Sequence, residues 1–315
     1  MPKRDFVHTT DFERADYEEV FRRAAIFEKG ILAGENFTHL LPGRVLASMF
    51  LKESTRTMTT FQSAMVRLGG GWTGLTGTAG TYLATGEEDI GDIVASVAEV
   101  ADIMALRYND CDPVALAKLI DIPLINGMCG GEEHASGALA LMYPVIEALG
   151  SLQGKKIGMY GMVSASRPMS AVLSVGGALG AEFYLDTVLP QFKPTATISE
   201  ICLKRGGSIS YAPMEEWMGE VDLAIWVEGL PVAGTPEDDV NAFNEKLHIF
   251  TNDDILRLKD TALFVGVMPR ATTDGRLVMA KETDYHERNI TLPLLKRFQY
   301  VAMGLMTYLL EVEVK

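Results

Sequence analysis

The sequence predicts an α/β protein of two domains, each with a mostly parallel sheet flanked by helices. Three observations lead there. Apolar runs of strand length alternate with apolar stripes spaced three and four residues apart, the alternation restarts past Gly150, and 315 residues are about twice a usual domain.

Residues 16–35 carry Val20, Ala24, Ala25, Phe27 and Ile31 at helical spacing, which predicts an amphipathic helix. Residues 45–51 form a mostly apolar strand. Met58, Phe61, Met65 and Leu68 behind it make a helical stripe closed by Gly69, Gly70 and Gly71. Residues 74–88 are rich in Gly and Thr without apolar periodicity, so they predict a long loop of a kind that is often functional. A helix is expected over 90–101, a short strand over 103–106 with Arg107 at its carboxyl end, and another strand over 123–126. A glycine-rich turn at 127–131 leads to His134, and Leu139, Met142, Val145, Ile146 and Leu149 mark the helix that follows. Past Gly150, residues 156–160, 181–185, 222–226 and 262–265 read as short strands of a second unit. The first domain is expected over 1–140, completed by a closing helix at 292–315, and the second over 141–291.

Composition narrows the partners. Forty-two Asp and Glu against 28 Lys and Arg give a net charge of −14, so the surface as a whole repels polyanions and nucleic acid is not an expected partner. A small anionic metabolite stays allowed, because a few arginines and helix N-termini outweigh a distant field inside a cleft. The three cysteines, Cys111, Cys129 and Cys202, form neither a disulfide framework nor a zinc pattern, which fits a reducing cytoplasm. No apolar signal region opens the chain and no stretch of about 18 apolar residues follows, so neither export nor membrane association is expected.

The densest chemical signal is Ser54-Thr55-Arg56-Thr57, placed where a strand turns into a helix. Ser and Thr there also serve as ordinary helix caps. Exposed amides, three hydroxyls, a helix dipole and a guanidinium together make an anion site, and Arg56 opposes the dipole unless an anion lies nearby. Arg107, at another strand end, can face the same edge, although a surface ion pair is its plain alternative. His134 precedes a helix and, as a neutral imidazole with a hydroxyl beside it, can polarise a carbonyl. Gly158-Met159-Tyr160-Gly161 lacks the G-x-G-x-x-G spacing of a dinucleotide site, and no G-x-x-x-x-G-K-[ST] run occurs.

The run from Phe50 through Ser54-Thr55-Arg56-Thr57 to Met65, followed by Arg67-Leu68-Gly69-Gly70, resembles the carbamoyl-phosphate motif of the aspartate/ornithine carbamoyltransferase family. The resemblance continues through Leu106-Arg107, Pro123-Leu124-Ile125-Asn126-Gly127, His134, Ser166-Arg167 and Met268-Pro269-Arg270, nearer the aspartate branch than the ornithine branch. It implies a two-domain α/β fold, a cytoplasmic homotrimer with sites between subunits, and carbamoyl transfer from carbamoyl phosphate to an amine, with pyrimidine biosynthesis as a candidate setting. Ser54, Thr55, Arg56 and Thr57 would hold the phosphate, and Arg107, His134 and the Thr57 hydroxyl would address the carbonyl or bridging oxygens. The Met268 backbone would accept from the carbamoyl NH₂, with Pro269 beside it, while Arg167 and Arg270 would serve the acceptor. A neutral amine attacks the carbonyl carbon and phosphate leaves, which requires no cofactor or metal.

Three departures from that family pattern bear on the acceptor and the rate. His134-Ala135-Ser136-Gly137 stands where the family has His-Pro-Thr-Gln, so a side-chain amide is absent at Gly137. Thr85-Gly86-Glu87 stands where the aspartate branch has Lys-Gly-Glu in a loop lent to the neighbouring subunit. Val227-Glu228-Gly229-Leu230 replaces an arginine and a glutamine for acceptor carboxylates, and Glu228 there repels a dicarboxylate unless it is simply solvated. Aspartate is therefore the default acceptor, with a less acidic amine, or a non-catalytic binding and assembly role, as the alternatives.

Overall fold

The computed structural model describes residues 3–131 and 133–315. The chain divides into two compact units, Met1–Tyr143 with Leu295–Lys315, and Pro144–Leu294. The division follows from the way each sheet is wrapped.

In the first unit α1 (Arg14–Leu32) precedes β1 (Val45–Phe50), α2 (Arg56–Arg67), β2 (Gly71–Thr73), α3 (Tyr82–Thr85) and α4 (Ile90–Ala98). Then come β3 (Ile103–Arg107), α5 (Pro113–Lys118), β4 (Leu124–Asn126) and α6 (Ala135–Leu149). The four strands lie in the order β2-β1-β3-β4, all parallel, so every connection must cross over a face of the sheet. Both faces are thereby covered, and the strands read as apolar runs. Met49, Met104, Leu106 and Leu124 meet Ile93 and Leu116 in one core cluster. Phe50 pairs with Arg107, which sets Arg107 beside the last residue of β1.

The helix carrying Arg56 is stopped by geometry at its far end. Gly69 takes φ of 93°, where a side chain is strained, and a Cβ there would fall 1.8 Å from the Thr38 carbonyl oxygen. Residues 74–88, expected as loop, are irregular except for the short α3.

The second unit runs β5 (Lys156–Tyr160), α7 (Arg167–Ala178), β6 (Glu182–Asp186), α8 (Ala196–Lys204), β7 (Ser208–Tyr211), α9 (Met214–Trp217) and β8 (Leu223–Trp226). It ends with α10 (Glu237–Lys246), α11 (Asn252–Ile255), β9 (Leu263–Gly266) and the start of α12 (Thr291–Leu309). Its five strands are again all parallel, in the order β7-β6-β5-β8-β9. Trp226 organises this core: its ring lies 5.0 Å from Tyr160 and 4.6 Å from Phe250, and its indole N–H donates to the His248 carbonyl at 3.1 Å. From Leu295 on, α12 belongs to the first unit, where Arg297 pairs with Glu28 at 2.8 Å and Gly304 lies against the backbone of α1.

Gly69→Ala combines a forbidden φ with a backbone clash, so it is expected to lower the unfolding free energy by ~2 kcal/mol or more in a urea titration.

Candidate functional site

Each sheet reverses its strand order once. From β1 the chain steps outward to β2, then returns to β3 on the other side and continues to β4. The crossovers leaving β1 and β3 therefore diverge, and a crevice opens at their carboxyl ends. The same divergence separates β5 from β8 in the second unit.

The first crevice receives Ser54, Thr55, Arg56 and Thr57 at the start of α2 and Arg107 at the end of β3. Thr55 occupies the N-cap with a helical φ of −88° and makes no side-chain cap hydrogen bond. The Met58 N–H reaches Ser54 Oγ only at 3.4 Å. In contrast, α4 and α5 open with Asp89 and Asp112, each accepting from two backbone N–H groups. The positive end of α2 thus gets no bond from its cap residue and only a long one from Ser54, which suits an outside anion. Arg56 stands at the surface of this turn, yet the protein around its guanidinium desolvates it enough to lower its pKa. A bound anion reverses that shift. The Leu51 N–H donates to the Arg107 carbonyl at 2.9 Å, which fixes Arg107 against the root of the same turn.

His134 comes to this place from beyond β4. Its Nε2 lies 3.5 Å from Thr57 Oγ1, and both residues are buried. The Gly137 N–H points at His134 Nδ1 at 3.3 Å, so Nδ1 carries the lone pair and, in the neutral ring, the proton sits on Nε2. The imidazole is therefore set to donate from Nε2 towards the turn of Thr57. Gly137 makes this ring position possible: a Cβ there would fall 2.7 Å from His134 Cδ2. What the sequence presents as a lost amide is, in the structure, room for the histidine.

Two residues not singled out from the sequence hold this loop. Asn126 accepts from the N–H groups of Met128 and Cys129, both at 2.7 Å, donates to the Val7 carbonyl at 2.8 Å, and its carbonyl accepts from Ser136 Oγ at 2.9 Å. Glu133 is buried and accepts from the N–H and the hydroxyl of Thr9, both at 2.8 Å, with His8 Nδ1 at 2.9 Å. A carboxylate immediately before a histidine and an Asn closing a strand are the sequence signals for them. Thr85 is exposed and its hydroxyl donates to Glu87 at 2.8 Å.

In the second crevice Ser166 caps α7, accepting from the Met169 N–H at 3.3 Å, and donates to Glu228 Oε1 at 2.7 Å. Arg167 is the first residue of that helix. Glu228 is 7% exposed, so neither bulk solvation nor an open repulsive surface describes it. Burial pushes its pKa up to about 7, against the pull of Ser166, its own backbone and Arg167. Met268 and Pro269, joined by a cis peptide bond, follow β9. Both terminal nitrogens of Arg270 are taken up by Asp284, so its fork serves an internal ion pair. Beside Ser164 and Ala165 lies a hollow of about 290 Å³ whose rim includes Gln191 and Asp239.

The comparisons with known proteins place this two-unit fold in a class of transferases. The family model described as aspartate/ornithine carbamoyltransferase, carbamoyl-P binding domain, matches residues 4–147. The aspartate carbamoyltransferase catalytic subunit of Clostridium botulinum is 26% identical over 98% of both chains, and that of Pyrobaculum neutrophilum is 30% identical over 70% of this chain and 71% of its own. The solved aspartate transcarbamoylase of Trypanosoma cruzi in complex with carbamoyl phosphate superposes with a TM-score of 0.85 at 20% identity, covering 97% of this chain and 96% of its own. The chain belongs to the aspartate/ornithine carbamoyltransferase family and is a transferase.

The raised pKa of Glu228 has a stability consequence with a definite sign. Its folded value of about 7 exceeds the ordinary 4.5, so its contribution is fully present below pH 4.5 and is lost as pH rises through 7. Glu228→Gln is expected to match the wild type in thermal unfolding near pH 5 and to exceed its stability by ~3 kcal/mol near pH 8.

Proposed function

We propose that the protein transfers the carbamoyl group of carbamoyl phosphate to an amino group, the first unit taking carbamoyl phosphate and the second the acceptor. The carrying observation is the α2 N-terminus whose cap residue Thr55 makes no side-chain bond, with Arg56 on its turn and the proton-bearing Nε2 of His134 beside Thr57. A phosphate has the charge, and the geometry, to accept from such a helix end and from Ser54, Thr55, Arg56 and Thr57.

In this reading Arg107 and His134, with the Thr57 hydroxyl, stabilise the negative charge that develops on the carbonyl oxygen as the amine attacks. The new C–N bond forms as the C–O bond to phosphate breaks. The amine proton leaves with the phosphate, so a neutral amine and carbamoyl phosphate give a ureido product and hydrogen phosphate. The side chain of Arg167 serves the acceptor, and the backbone carbonyl of Met268, followed by Pro269, is read as accepting from the carbamoyl NH₂. The relatives' names make aspartate the reference acceptor, and Glu228 stands against it. A homotrimer sharing sites, with the exposed loop at Thr85 offered to the neighbour, belongs to the same reading and is checked by light scattering.

Arg56→Ala removes the guanidinium at the phosphate and is expected to lower kcat/KM at least about a thousandfold in a phosphate-release assay, with thermal unfolding unchanged. An unchanged kcat/KM removes the proposed site. Gly137→Ala displaces the His134 ring from its slot, so kcat is expected to fall ~10- to 100-fold while KM for carbamoyl phosphate moves little.

A further inference from the structure

The second crevice carries a specificity device of its own. At the carboxyl ends of β5 and β8, where the strand order reverses, the 12-residue helix α7 is capped by Ser166, and a carboxylate of the chain is bonded to that cap. Glu228 Oε1 accepts from Ser166, the capping residue, and Arg167 lies near enough to act on its charge. The other oxygen, Oε2, is buried and has no hydrogen-bond partner among the described residues. A buried carboxylate oxygen without a donor is costly, and it is satisfied by a ligand that brings one.

We propose that Glu228 takes the place of the second carboxylate of a dicarboxylic acceptor, so that the enzyme selects an amino acid whose side chain ends in a hydrogen-bond donor, an amide or an ammonium. The inference rests on the reading that this unit binds the acceptor. An acidic side chain brought to Oε2 sets two carboxyl groups against each other, and one of them must hold a proton. An amide N–H or an ammonium completes the orphaned oxygen instead. Sites that hydrogen-bond one substrate group discriminate strongly against analogues lacking it, because the buried partner is then left unpaired.

The test measures carbamoylated product by mass spectrometry, with carbamoyl phosphate and, in turn, L-aspartate, L-glutamate, L-asparagine, L-glutamine and L-2,4-diaminobutyrate. For the wild type, at least one donor-bearing acceptor is expected to exceed both dicarboxylates at least tenfold in kcat/KM. Glu228→Gln is expected to narrow that ratio at least tenfold, mainly through KM, since the new amide no longer repels a carboxylate. A wild-type preference for aspartate or glutamate overturns the inference without any variant and leaves the carbamoyltransferase reading intact. An unchanged ratio in a folded Glu228→Gln protein overturns it as well. Transfer to none of the five overturns this inference together with the proposed division of the two substrates.

Discussion

Parallel pairing is the constraint from which the rest follows. A parallel strand cannot be joined to its neighbour by a tight turn, so each sheet of this protein is wrapped by crossover helices on both faces. Where successive crossovers diverge, between β1 and β3 and again between β5 and β8, a crevice forms at the carboxyl ends of the strands. Ser54 to Thr57 and Arg107 line one such place, and Ser166, Arg167 and Glu228 the other. The helices that start there aim their positive ends at it.

The two crevices treat that positive end in opposite ways. In the first unit the cap residue of α2, Thr55, makes no side-chain bond to the helix, and Ser54 accepts only a long one from Met58. In the second, α7 begins with Ser166, and Ser166 is bonded to the buried Glu228. The cap residue of one helix makes no side-chain bond, and the cap residue of the other is tied to a buried carboxyl group, within a chain whose overall charge is −14. Local geometry, not the net field, sets what each crevice accepts.

Much of the fold was legible because covered parallel strands are apolar on both sides, and Val45–Phe50, Ile103–Arg107 and Leu223–Trp226 show this plainly. The strands that escaped notice are exposed ones: Gly71–Thr73 and Ser208–Tyr211 bury too little to leave an apolar run. α5 is only six residues long, too short for a helical period. Ser54 to Thr57 was readable as a local cluster, whereas the contact of Thr57 with His134 joins positions 77 residues apart. Glu228 looked like a solvated or repelling charge because nothing near it in sequence names Ser166, 62 residues earlier, as its partner. Gly137 read as a missing amide for the same reason, since its purpose is the ring folded over it.

The most direct measurement is a crystal structure with phosphonoacetamide, an unreactive mimic of carbamoyl phosphate, bound at saturating concentration. The phosphonate is expected against the first-turn amides of α2 and the guanidinium of Arg56, with the amide oxygen within hydrogen-bond distance of His134 Nε2. A phosphonate bound away from that helix end, or a turn that stays empty at saturation, would contradict the account.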